Sequence, residues 1–122
     1  AAYNIDIERI RVITDLTEVE LAIDQAVPCG LIANELISNA LKHGFSDGYS
    51  GEIRVSTRME TENVVELCVS DTGRGMPRDF NMSTNSGLGL QLIELLVDQI
   101  GGNLVVDTSR DTTFIIRFTL GN

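Results

Sequence analysis

Three short segments carry residue types that a fold has little need of for its own sake. In N-E-L-I-S-N-A-L-K-H-G-F, Asn34 to Phe45, the residues Glu35, Ser38, Asn39 and Lys42 recur at spacings of three, four and seven, which puts them on one face of a helix. The amide oxygen of Asn39 is a hard ligand suited to Mg²⁺. Glu35, one turn earlier, can orient or deprotonate a nucleophile, and Lys42 can meet a phosphate oxygen. A solvated helix face would show the same spacing, so the stripe alone leaves both readings open.

The second segment is D-T-G-R-G-M-P, Asp71 to Pro77, directly after an apolar run. Asp71 at a strand end can accept a hydrogen bond from a flat donor such as an adenine amine, and Gly73 and Gly75 let a planar ligand approach the main chain. An Asp-capped tight turn is the alternative. The third is S-G-L-G-L-Q-L-I, Ser86 to Ile93, where Gly87 and Gly89 open a helix. Exposed N–H groups there form an anion site without any basic residue, although an ordinary glycine helix entry has the same pattern. Neither G-x-x-x-x-G-K-[ST] nor G-x-G-x-x-G occurs, which excludes the better-known phosphate loops.

The elements that would position these residues follow from periodicity. Ile10 to Leu16 and Val19 to Ile23 read as a strand pair. Pro28 fits the first turn of a helix running to about Lys42. Phe45 to Gly51 is a loop, and Glu52 to Arg58 and Val64 to Ser70 form a hairpin joined around Glu60 to Asn63. Leu88 to Ile100 is a second amphipathic helix, stopped by Gly101-Gly102, and Leu104 to Asp107 with Phe114 to Leu120 closes the chain as another hairpin. Paired strands with one covered side give an α+β two-layer sandwich.

A chain of 122 residues with 43% hydrophobic residues fills one core, so a single domain spanning 1–122 is expected. The net charge of −9 argues against nucleic acid or an anionic membrane as partner. A triphosphate would then be held by backbone N–H groups, a metal and a few local cations. Cys29 and Cys68 lie in apolar runs and are read as free thiols of a reducing cytosol. No apolar run reaches the roughly 18 residues needed to span a bilayer, so a cytoplasmic location without direct membrane contact is expected. The first residue is Ala1 rather than Met, read here as a piece of a longer protein.

Taken in order, the Asn-bearing helix, the strand with D-x-G-x-G, a linker of Arg78 to Asn85 and the G-x-G helix opening resemble the N, G1 and G2 boxes of the GHKL superfamily. That group includes gyrase-type ATPases and histidine kinases, and the resemblance runs from Ile10 to Leu120. The segments GLIANELISNALKHGF, SGLGLQLI and TTFIIRFTL look most like the ATP-binding catalytic domain of a sensor histidine kinase close to the HWE branch. The resemblance implies a Bergerat-type sandwich with a mixed, mainly antiparallel sheet and helices on one face, with ATP and Mg²⁺ as cofactors. It implies that Asn39 holds the metal and that Asp71 takes the adenine amine. Gly73, Gly75 and Met76 would shape the base pocket, and Gly87, Leu88 and Gly89 would hold the phosphates at the lid and helix start. Glu35 would be the catalytic carboxylate, Lys42 a phosphate contact, and Thr112 or Thr113 a support for Asp71.

Two positions depart from the family pattern. His43 stands where many relatives have Tyr, and Asp111 where Gly commonly precedes Thr-Thr-Phe. The lid between Met76 and Gly87 is short, lacks a separate F box unless Phe80 serves, and is expected to be mobile without nucleotide. His43, the only histidine, lies within the nucleotide helix and is read as structural or solvent-facing. The resemblance implies that the acceptor histidine sits on a separate dimerisation domain upstream, in a full-length homodimer that signals onward through a response regulator. The alternatives are a GHKL ATPase or anti-sigma-type serine kinase, and a degenerate module that binds a partner and little nucleotide.

Overall fold

The computed structural model describes residues 10–45, 50–73 and 90–121. In chain order the elements are β1 (Ile10–Leu16), α1 (Ile23–Asn39), a π-helical turn (Ala40–Gly44), β2 (Gly51–Met59), β3 (Val64–Asp71), α2 (Leu90–Gln99), β4 (Asn103–Asp107) and β5 (Thr112–Thr119). The strands lie in the order β1-β2-β3-β5-β4, with β1 parallel to β2 and every other pairing antiparallel. This is the mixed, mainly antiparallel sheet that the family resemblance implies.

Alternation fixes which face is covered. Ile53 and Val55 of β2, Val65, Leu67 and Val69 of β3, and Phe114, Ile116 and Phe118 of β5 are all buried, in register with one another across the three central strands. Ile32 and Leu36 of α1 and Leu90, Ile93 and Val97 of α2 close the same core from above. The opposite face is held by ion pairs. Glu66 sits between Arg58 and Arg117 in one cross-strand row, with Nε of Arg58 2.9 Å from Oε1 and Nη2 of Arg117 3.0 Å from Oε2.

Two expectations need correction. Val19 to Ile23 is not a strand: β1 pairs with β2 instead, and α1 already begins at Ile23. Pro28 therefore lies inside the helix rather than in its first turn. The early start lacks the usual sequence mark, since the capping position is Ala22, which makes no side-chain cap. Gln25 anchors it from a distance. Its buried amide donates to the Thr119 carbonyl at 2.9 Å and accepts the Gly121 N–H at 2.8 Å, tying the start of α1 to the end of β5.

The end of α2 follows expectation. Gly101 adopts φ 68°, the Gly102 N–H returns to the Val97 carbonyl at 2.9 Å, and the Gly101 N–H reaches Asp98 at 3.0 Å. This is a Schellman closure. Cys29 and Cys68 are both free.

Candidate nucleotide site

Asp71 is the last residue of β3 and sits directly opposite Thr112, the first residue of β5. Both side chains continue the buried alternation of their strands, and both are nearly enclosed, at 7% and 5% exposure. Of the two candidate threonines, the register therefore brings Thr112 to Asp71. Thr113 pairs with Ser70 and lies on the opposite face of the sheet, where its hydroxyl reaches the Asp111 carbonyl at 3.5 Å. Both threonines lie inside β5, which begins two residues earlier than the apolar run indicated.

Burial pushes the Asp71 carboxyl above its ordinary pKa. The Gly73 N–H, donating to Oδ1 at 3.0 Å, opposes that shift, and the negative charge of Asp111 adds to it. A desolvated carboxylate whose donor among the described residues is the Gly73 N–H is a strong acceptor for a further N–H.

The end of the α1 helix reaches this carboxylate through glycine. A Cβ placed on Gly44 would come within 2.9 Å of Asp71 Oδ1, and one placed on Gly73 within 2.7 Å of the Gly44 carbonyl carbon. The two backbones abut. Neither glycine has positive φ, so the requirement is for space rather than for an unusual conformation. Asn39 is the last residue of α1, five residues before Gly44, or about one turn of the widened helix that follows. Glu35 is one α-helical turn before Asn39, and both are partly buried. Lys42 lies within the π-helical turn and is exposed.

Thr72 fixes the strand end from the other side. Its N–H donates to the Glu52 carbonyl at 3.0 Å, and its hydroxyl accepts the Glu52 N–H at 2.9 Å. Gly51, at φ 151°, faces the Thr72 hydroxyl, which leaves no room for a side chain there.

Sequence reasoning missed Gly44 and Thr72. The available signal was the position of Gly44 at the end of the helical run in K-H-G-F, which by itself does not tell a helix end from a close approach. Gly75, Met76, Gly87, Leu88 and Gly89, together with the lid and Phe80, lie outside the described residues.

An enclosed carboxylate beside a threonine, abutting a helix that carries Asn and Glu, is an arrangement able to recognise a flat amine donor and present oxygen ligands near it. Comparison with known proteins gives it a family. Residues 24–122 match the model of the histidine kinase-, DNA gyrase B- and HSP90-like ATPases. The chain belongs to this family.

Within the family it is similar to blue-light-activated histidine kinase 2 of Erythrobacter litoralis, at 29% identity over 87% of this chain and 31% of that protein. The sensor histidine kinase PdtaS of Mycobacterium tuberculosis is 30% identical over 80% of this chain and 20% of its own length. The chain thus spans about a third or less of these relatives. A solved blue-light activated histidine kinase of Erythrobacter litoralis superposes with a TM-score of 0.85 at 29% identity, over 92% of this chain and 36% of that one. The histidine kinase AdeS of Acinetobacter baumannii, at 19% identity and a TM-score of 0.77, shares the fold. The architecture is that of the ATP-binding catalytic domain of sensor histidine kinases. No helix among the described residues is long and apolar enough to cross a membrane.

Proposed function

We propose that this chain binds ATP with Mg²⁺ and passes the γ-phosphoryl group to a histidine on a separate dimerisation domain of the same protein. The observation that carries the reading is the enclosed Asp71 carboxylate, paired with Thr112 and pressed against the helix end at Gly44. In it Asp71 accepts a hydrogen bond from the adenine amine and Thr112 supports that carboxylate. Gly73 and Gly75, with Met76, border the base, while Gly87, Leu88 and Gly89 face the phosphates and Lys42 meets one of their oxygens.

The donor set fits a magnesium ion. Among the described residues no three His, Cys, Asp or Glu side chains cluster to make a closed protein cage. Mg²⁺ bound with nucleotide needs only one or two protein oxygens, the rest coming from phosphates and water. Asn39 supplies such an oxygen. When bound, the metal would neutralise charge on the phosphate oxygens during in-line transfer. Glu35, one turn away, accepts the proton of the incoming imidazole as its nitrogen bonds to the γ-phosphorus and the bond to the bridging oxygen breaks, releasing ADP. The named relatives are sensor kinases, which weighs for a histidine acceptor over free ATP hydrolysis or a serine acceptor. A cytoplasmic setting, a homodimeric full-length protein and a downstream response regulator belong to the same reading.

Calorimetry of ATP binding tests the pocket. Asp71→Asn should weaken affinity by about 5- to 150-fold, the equivalent of an unpaired buried donor at about 1–3 kcal/mol. An unchanged affinity refutes the assignment. Asn39→Ala should abolish the Mg²⁺-dependent part of binding, and full metal dependence in that variant removes Asn39 as ligand. Glu35→Ala should spare binding and slow phosphate transfer to a supplied acceptor domain.

A further inference from the structure

Strand β1 ends the sheet, and among the described strands it pairs only with β2. A free edge is normally blunted by a proline, a bulge or repelling charges. β1 has neither of the first two, and its charges, Arg11 and Asp15, are of opposite sign: I-R-V-I-T-D-L contains no proline or glycine, and its register with β2 runs from Ile10↔Gly51 to Leu16↔Thr57 without a skipped residue. Its inner-face residues Val12 and Leu16 are left 56% and 61% exposed.

The direction of its backbone groups can be read from Thr17. The Thr17 N–H donates to the Thr57 carbonyl at 3.1 Å, and the Thr17 carbonyl accepts the Thr57 hydroxyl at 3.1 Å, so residue 17 faces β2. By alternation Arg11, Ile13 and Asp15 also turn their peptide groups toward β2. Ile10, Val12, Thr14 and Leu16 turn theirs to the open edge.

We propose that this edge is a self-association surface, on which β1 of a second copy pairs antiparallel about a two-fold axis through Ile13. Only registers that set even residues against even residues match the outward-facing peptide groups. One of these places all seven residues opposite a partner: Ile10↔Leu16, Arg11↔Asp15, Val12↔Thr14 and Ile13↔Ile13. In that register Arg11 faces Asp15 of the second copy twice, in the closely spaced non-hydrogen-bonded pairs where side chains interact best. A shift by two residues in either direction sets Arg11 or Asp15 against Ile13 and loses that match. The pairing makes about eight backbone hydrogen bonds and sets Leu16 against Ile10. The other edge, β4, offers no such match: Asp107 is its one charged residue, so no pairing with a second copy sets opposite charges together, whereas Arg11, although 3.5 Å from Glu52 of its own chain, keeps its side chain 71% exposed.

Sedimentation of the 122-residue chain at rising concentration tests this. A monomer–dimer equilibrium is expected. Arg11→Asp and Asp15→Arg should each weaken the dimer by about tenfold or more, because each sets like charges opposite each other twice. Mixing the two variants in equal amounts should restore association, since both cross-strand pairs are then again opposite in charge. A chain that stays monomeric, a dimer indifferent to both substitutions, or a mixture no tighter than either variant alone would each overturn the proposal. Amide hydrogen exchange supplies a readout that needs no variant. Protection at Val12, Thr14 and Leu16 should rise with concentration, while that at Ile13 and Asp15 stays constant. Concentration-independent exchange at the even positions counts against the interface.

Discussion

Gly44 and Gly73 meet backbone to backbone, so that a Cβ on Gly73 would lie 2.7 Å from the Gly44 carbonyl carbon and 2.8 Å from its Cα. The contact fastens the end of the π-helical turn that follows α1 to the strand end that carries Asp71. A methyl group on Gly73 has only main chain to push against, so Gly73→Ala should destabilise the fold by about 1–3 kcal/mol. A methyl on Gly44 meets first the Asp71 carboxylate, at 2.9 Å. Gly44→Ala should therefore disturb ATP affinity more than stability. Denaturant unfolding and nucleotide calorimetry on the two variants check the split, which fails if both lose stability equally.

Gly30 makes the opposite case within the same helix. It is exposed, its φ is not positive, and a Cβ there meets nothing within 4 Å. With space available and a helical backbone already in place, Gly30→Ala should raise stability by about 0.5–1 kcal/mol. A higher denaturation midpoint at unchanged slope is the expected result.

The contrast among these glycines shows what a sequence can and cannot convey. Alternation in Glu52 to Arg58 and Val64 to Ser70 identified the central hairpin, because one face of a sheet must be apolar and a slip by one residue would expose it. Gly101-Gly102 identified the end of α2, because a left-handed residue there is a local requirement. The start of α1 was hidden. Its capping residue is Ala22, and the bond that secures it comes from Gln25 to Thr119, 94 residues away. The pairing of β1 with β2 was hidden for the same reason, since a parallel partner lies beyond an intervening helix and Val19 to Ile23 imitates a nearer strand. At the site, Asp71 was legible as a polar residue ending an apolar strand. The choice of Thr112 over Thr113 needed the register, and the role of Gly44 needed the approach of two segments far apart in sequence.

Asp71 should weaken the protein that it equips. Burial raises its pKa, so the folded state holds the proton more tightly than the unfolded chain, whose Asp titrates near 3.9. The stability associated with this group is fully present below that value and is lost as pH rises through the folded pKa. At neutral pH, unliganded Asp71→Asn should therefore melt at or above the wild-type temperature, with the difference shrinking as pH falls toward about 4. Melting curves without nucleotide across that range decide it, and an Asn variant less stable at neutral pH than in acid, relative to wild type, contradicts it.

Glu66 should show the reverse sign on the other face of the sheet. The Arg58 side chain, first by hydrogen bond and then by charge, holds the Glu66 carboxyl below its usual value, and Arg117 adds to the effect against the opposing influence of burial. A carboxylate depressed in this way stabilises the fold above its unfolded pKa of about 4.3, and that stability is lost as pH falls through the folded value. Glu66→Gln should lower the melting temperature at neutral pH, because Arg58 and Arg117 lose the anion that both reach within 3.1 Å. The gap should begin to shrink as pH falls below about 4.3 and close only below the depressed folded value, where wild-type Glu66 is neutral as well. High salt should narrow it only in part, since Glu66 is buried while Arg58 is largely exposed. A gap that persists undiminished in acid would mean that Glu66 acts through packing rather than through its charge.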